Sequence, residues 1–173
     1  MVSFSFQDDQ YPFTGVSHLR KVARGIVLDE ENRVAIHHIY RNDMFCDQHY
    51  FETPGGGVDE GEDFEQAFCR ECREELGYEV EIICPLCDVH DFYNLIQREN
   101  HNRFFLARRK KQVGRHFASS GDLFIQETLY LPIEEWITRY EAQSNEKVAG
   151  LVKRRELPTL RLALEEMKKR KII

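Results

Sequence analysis

The sequence predicts an α/β protein in which a mixed β-sheet is covered on both faces by helices. Three observations lead there. Short runs of β-branched and aromatic residues, bounded by turn chemistry, recur along the chain. Helical periodicity appears only at sparse intervals between them. No internal repeat, low-complexity segment or linker divides the 173 residues, so residues 1–173 are expected to form one domain with a sizeable core.

The elements follow in chain order. Val22–Leu28 (VARGIVL) reads as a strand, Asp29-Glu30-Glu31-Asn32 as a turn, and Arg33–Tyr40 (RVAIHHIY) as a second strand. A polar loop, Arg41–Gln48, leads to a short strand, His49–Thr53. Pro54-Gly55-Gly56-Gly57 is a turn in which the proline stiffens the chain and the glycines let backbone approach a ligand closely. From Glu62 to Leu76 there is neither Gly nor Pro, and Phe64, Phe68, Cys72 and Leu76 recur at every fourth position along one helical flank. Gly77 sits where a C-terminal glycine cap belongs. Tyr78–Tyr93 reads as a long or bent strand, with a bulge or sheet edge demanded at Pro85. Asn102–Arg108 is another strand, Gly114–Gly121 a loop, and Leu123–Pro132 the last strand. Ile133–Ala142 is a helix that pairs Trp136 with Tyr140 at i+4. Pro158–Arg170 is an amphipathic helix running into Lys168-Lys169-Arg170-Lys171, the right charge for that end of the helix dipole.

Chemistry concentrates on the helix after the glycine turn. Glu71, Glu74 and Glu75 stand at i+3, i+4 and i+1 spacings. Like charges at i,i+4 cost a helix about 0.2–0.5 kcal/mol. Glu75 also falls near the Phe68–Cys72 flank, where an unpaired carboxylate would be desolvated. A hard divalent cation, Mg²⁺ or Mn²⁺, relieves both problems. The usual fate of such a cluster is a solvated acidic face; the preceding glycine turn and the full spacing argue against that reading.

That spacing is the most specific signal in the chain. Gly56 is followed by five residues and Glu62, then by seven residues and Arg70-Glu71; Cys72, one residue, Glu74-Glu75, one residue and Gly77-Tyr78 complete it. The pattern resembles the Nudix box, and all seven of its fixed positions match. Cys72 and Tyr78 stand where the family places bulky aliphatics. The resemblance implies an α/β/α sandwich with a loop-helix-loop catalytic box. It implies that Glu74 and Glu75 are the main metal ligands and that the backbone carbonyl of Gly55 joins them. Glu71 is implied as a ligand or as the general base. Arg70 is implied to orient a box glutamate, and Glu62 to hold loop and helix together.

The implied reaction is divalent-metal-dependent hydrolysis of a diphosphate linkage in a nucleoside diphosphate derivative, with a water as nucleophile. No G-x-S-x-G elbow, Walker-type loop or His-Glu-x-x-His accompanies it. Nucleoside triphosphates or dinucleoside polyphosphates are placed ahead of nucleotide sugars and ADP-ribose as substrates. Tyr93, sixteen residues beyond Gly77, is a weak mark of dinucleoside polyphosphate hydrolases. Arg24, Arg98, Arg103 and the Arg108–Lys111 run are candidates for holding phosphates, the run reading rather as a solvated strand end, and Glu127 is a candidate for a further acidic ligand outside the box. Neither His37 nor His38 is assigned to catalysis. A non-catalytic nucleotide-sensing domain is the alternative of another class; three intact box glutamates favour the enzyme.

Composition agrees. Hydrophobic residues make up 42% and charged residues 31% of the chain, as in ordinary globular proteins. A net charge of −6 argues against broad nucleic-acid binding. The N-terminal MVSFSFQDDQ lacks the pattern of a signal peptide, and no apolar run reaches the ~20 residues of a membrane span. A soluble cytoplasmic protein acting on a small nucleotide is expected, with a homodimer left open. The pairs Cys69/Cys72 and Cys84/Cys87 have the C-x-x-C spacing of a zinc site, but Cys72 occupies a core position of the box helix, so the cysteines read as small buried hydrophobes.

Overall fold

A computed structural model describes residues 1–119 and 121–173. Its strands are β1 (Val2–Phe6), β2 (His18–Leu28), β3 (Val34–Asn42), β4 (Asp47–Glu52), β5 (Gly55–Gly57), β6 (Tyr78–Tyr93), β7 (Arg98–Gln112) and β8 (Ile125–Leu131). Its helices are α1 (Phe64–Glu71), continued by a π-turn over Cys72–Leu76, α2 (Ile133–Ala142) and α3 (Lys147–Lys169). The strands form one mixed sheet in the order β1-β6-β7-β2-β3-β4, with β5 added to β2 and β8 to β3. The β1–β6 and β2–β7 pairs are parallel, and the rest are antiparallel.

Alternation along the central strands decides which helix covers which face. Ala23 and Val27 of β2 point to α1 and pack with Phe68, Cys72 and Phe105. Ile26 and Leu28 point the other way, into a larger cluster with Trp136 and Tyr140 of α2 and Val152, Leu160 and Met167 of α3. Gly25 lies under the Phe68 ring, where a Cβ would come within 2.4 Å of Cζ. Phe68 then stacks on Phe105 at 5.3 Å. The expected sandwich is therefore present, with the box helix on one face and α2 and α3 on the other.

β2 starts at His18 rather than Val22, β7 spans Arg98–Gln112 rather than Asn102–Arg108, and three further differences bear on the architecture. β1 was not expected; its VSFSF alternation is short, and it gains its partner only by pairing in parallel with residues 87–91 of β6. The glycine turn extends into β5, which pairs Gly55, Gly56 and Gly57 with Arg24, Ala23 and Val22. The last helix begins at Lys147, so Pro158 lies inside it rather than at its start. An interior proline costs a helix about 3 kcal/mol, and burial of Val148, Leu151 and Val152 before it offsets that cost. Pro85 behaves as its chemistry requires. The β6–β7 register shifts on either side of it, and β1 begins pairing only at Cys87.

One break in the sheet positions the site. β2 and β3 pair only at Val27–Ala35 and Leu28–Val34. Beyond that they diverge, and the segment running from β4 into β5 enters the gap, with β4 pairing β3 and β5 pairing β2. A cleft opens along that segment. Among the described residues, no helix is long and apolar enough to cross a membrane.

Candidate active site

The box helix begins with a reciprocal cap. Asp63 accepts a hydrogen bond from the Gln66 amide, and the Gln66 side chain accepts one from the Asp63 amide. The helix ends in the π-turn, where the Gly77 amide donates to Cys72 O at 3.1 Å and Gly77 adopts φ 76°. The left-handed conformation explains the glycine there. The wider turn carries Glu75 round to the same side as Glu71.

Glu71, Glu75 and Asp122 converge at the mouth of the cleft, with one carboxylate oxygen of each lying within 4.8 Å of the others. All three are buried. Glu75 is held from two sides: its Oε2 accepts from the Gly55 amide at 2.8 Å and lies 3.2 Å from His37 Nε2. Glu71 packs against the glycine strand so closely that a Cβ on Gly56 would sit 2.3 Å from Oε1. Asp122 belongs to a short turn before β8 and accepts from the Ala118 and Ser119 amides, both at 2.9 Å. Arg70 ties the box together. It donates to both oxygens of Glu62 (2.8 and 2.9 Å), to Gly57 O (2.8 Å) and to Glu71 Oε1 (2.9 Å).

The expected residues thus fall into groups. Glu71, Glu75, Gly55 and Gly56 meet in the cleft, with Arg70 and Glu62 bracing them. Glu74 stands outside the trio, 3.4 Å from Arg70 Nη1. Arg24 and Tyr93 line the cleft. Arg24 is engaged by Glu52 at 2.8 Å and Thr53 O at 2.8 Å. Arg103 is placed elsewhere: it forks onto Asp88 at 2.8 and 3.0 Å and lies over the Phe64 ring, on the sheet face opposite Asn102. Glu127 is also elsewhere. Thr128 is the β8 residue opposite His37, so Glu127, one position away, points to the other face, where its side chain is 56% exposed beside His38.

Two cleft residues were missed. Asp122 sits in a loop whose Gly-Asp sequence reads as turn chemistry, and only tertiary folding brings it to the box. His37 was not assigned to catalysis, yet it bridges Thr128 Oγ1 (2.9 Å) and Glu75.

The trio is electrostatically unbalanced. Burial, followed by the charge of Glu75, pushes the Glu71 carboxyl up to about 7. Burial likewise raises Glu74. Because the folded-state value for Glu71 lies above its ordinary 4.5, the metal-free fold holds a proton that the unfolded chain releases. Stability is therefore fullest below pH 4.5 as far as this group is concerned and falls as pH rises through 7. We expect metal-free protein to lose on the order of 2 kcal/mol from this group over that window. A divalent cation should recover it; denaturant titrations with and without chelator would check this, and a metal-free stability flat from pH 5 to 8 would refute it.

Around the trio, Arg20, Arg24, Arg41, Arg98 and Arg155 all line the cleft. Carboxylates gathered for a cation beside guanidiniums that suit phosphate match the demands of phosphoryl chemistry.

A family model described as the NUDIX domain matches residues 18–151. An RNA pyrophosphohydrolase from Wolbachia sp. subsp. Brugia malayi (strain TRS) is 27% identical over 119 residues, spanning 66% of this chain and 72% of that protein. Among solved structures, the E. coli ORF135 protein superposes with a TM-score of 0.60 at 19% identity, over 85% of this chain and 89% of that one. A NUDIX hydrolase from Nitrosomonas europaea gives 0.58 at 14% identity, over 72% and 79%. Likeness at those identities speaks for the fold, and the family match speaks for descent. With the box residues gathered where the sheet splits, the match over residues 18–151 shows that this chain belongs to the Nudix family.

Proposed function

We propose that the protein hydrolyses the diphosphate linkage of a nucleoside diphosphate derivative, with Glu75 and Asp122 holding Mg²⁺ or Mn²⁺ and Glu71 beside them. The observation that carries this reading is the meeting of those three carboxylates beside the glycine strand. Their oxygen-only donor set suits a hard cation, and Glu71 stays raised by burial and by Glu75 although Arg70 offsets part of the negative charge. A bound cation would shield the phosphate oxygens and acidify a water.

The chain's own groups supply the rest. Glu75, fixed by Gly55 and His37, serves as the rigid ligand. Glu71 is oriented through one oxygen by Arg70 and borders the open cleft, so it is placed to take the proton of the attacking water. Arg24, already braced by Glu52, presents a fixed positive charge to the substrate phosphates. Triphosphates and dinucleoside polyphosphates stand ahead of nucleotide sugars as substrates, on the number of arginines in the cleft.

The test is release of phosphate and pyrophosphate across nucleoside triphosphates, dinucleoside polyphosphates, ADP-ribose and nucleotide sugars, at Mg²⁺ levels on the order of millimolar. The expected result is turnover of at least one compound that disappears with chelator, and in Glu71→Gln loss of the acidic limb of the kcat profile. Turnover that persists in chelator would remove the metal from the mechanism.

A further inference from the structure

Of the five arginines in the cleft, three already have partners. Arg24 meets Glu52 at 2.8 Å, Arg41 meets Asp43 at 2.6 Å, and Arg155 meets Glu52 and Glu156, each at 2.7 Å. Arg20 and Arg98 differ: among the described residues neither side chain makes an ion pair or donates a hydrogen bond. The parallel β2–β7 register sets Arg20 opposite Asn100 and Arg98 opposite His18, so Arg20, Asn100 and Arg98 share one face.

Each of the three is incomplete in its own way. Arg98 rests on the Tyr93 ring at 5.2 Å, and its buried Nε has no partner. Burial, and after it the neighbouring charge of Arg20, draws the Arg98 guanidinium down to about 10. Asn100 is 2% exposed, lines the cleft, and has an unpartnered side-chain oxygen. With its O and N exchanged, the amide offers N–H at that position. Arg20 reaches along the glycine strand: a Cβ on Gly57 would sit 3.0 Å from its Nη2, one residue beyond Gly56, which touches Glu71.

Two neighbouring guanidiniums without an ion-pair partner and a buried amide without a hydrogen-bond partner all raise the energy of the empty fold. A phosphate group answers all three, since its oxygens take both guanidinium forks and the amide. We propose that Arg20, Arg98 and Asn100 form a site for a phosphate beyond the diphosphate that is cleaved. Preferred substrates then carry three or more phosphates in a row. This rests on the hydrolase reading above and narrows its substrate class.

Two arms test it. In the first, inorganic tripolyphosphate is titrated into metal-free protein by calorimetry, which needs no turnover. Arg20→Gln and Arg98→Gln should each weaken binding by about tenfold or more, with Arg98→Lys between them and wild type. In the second, the preference in kcat/KM for nucleoside triphosphate or dinucleoside tetraphosphate over two-phosphate ADP-ribose should fall about tenfold in the same variants. Circular dichroism establishes that each variant is folded. Unchanged tripolyphosphate affinity would overturn the proposal, as would equal losses for three- and two-phosphate compounds. A wild type that hydrolyses nothing while Arg98→Gln still weakens tripolyphosphate binding would uphold the phosphate site and discard the hydrolase reading.

Discussion

Replacing Glu75 by Gln is expected to lower kcat by about a thousandfold while leaving the metal-free protein at least as stable as wild type. The two effects have one cause. Gln keeps the shape of Glu and an oxygen for the Gly55 amide, so the anchoring bond at 2.8 Å survives. It removes one of three charges that crowd within 4.8 Å of one another. Without cation, that removal relieves repulsion, and the Glu71 carboxyl, raised by burial and then by Glu75, should move back toward its ordinary value. With cation, the same removal takes away the ligand held most rigidly. Turnover at saturating Mg²⁺ and thermal melts in chelator would read both. Near-normal turnover would show that the metal lies elsewhere; a large loss of metal-free stability would show that the charge of Glu75 is structural.

Arg155→Leu is expected to destabilise the protein by about 3–5 kcal/mol, the cost of removing one partner from a buried ion cluster. That corresponds to a fall in Tm of roughly 10 °C for a chain of this size. Arg155 sits on α3 and joins Glu52 and Glu156 at 2.7 Å and Asp91 at 3.7 Å. Glu156 is itself fully buried and accepts from the Thr53 amide (2.8 Å), the Thr53 hydroxyl (3.0 Å) and the Tyr140 hydroxyl (2.6 Å). Leucine would fill much of the space but leave these carboxylates undercompensated. Burial alone would raise Glu52; Arg24 and then Arg155 overcome it and hold its carboxyl down at about 2. This depressed value stabilises the fold above pH 4.5 and is lost as pH falls through 2. In Arg155→Leu the acid-unfolding midpoint should accordingly move upward. Adding Glu156→Gln to the variant should recover part of the loss. A destabilisation under about 1 kcal/mol would mean that water, not Arg155, balances these charges.

What the sequence disclosed was whatever repeats locally. Phe64, Phe68, Cys72 and Leu76 announce the box helix because they return at helical spacing, and Gly77 and Pro85 announce a cap and a bulge because backbone chemistry allows little else. Of the box glutamates, Glu71 and Glu75 lie together in the cleft, while Glu74, which the resemblance implied as a main ligand, stands outside the trio. Asp122 was not legible, because nothing within its own loop refers to a helix some fifty residues earlier. Glu127 was misplaced by a single position, and in a strand one position is the difference between two faces. Arg103 failed in the same way, pointing at Asp88 instead of the cleft. The start of α3 was hidden by Pro158, which resembles a first helical residue until the burial of Val148, Leu151 and Val152 is known.

The long reach of α3 has a consequence for the protein during synthesis. The glycine strand and the box glutamates are complete by residue 77, yet the cluster that braces Glu52 and Thr53 just ahead of that strand waits for Arg155 and Glu156. At ribosomal rates of about 5–20 residues per second, the nascent chain holds its acidic residues for several seconds before the helix that steadies their platform emerges. Ordering of the site is thus timed to the synthesis of α3, and a chain made only as far as the box would hold Glu71 and Glu75 without the wall that steadies them.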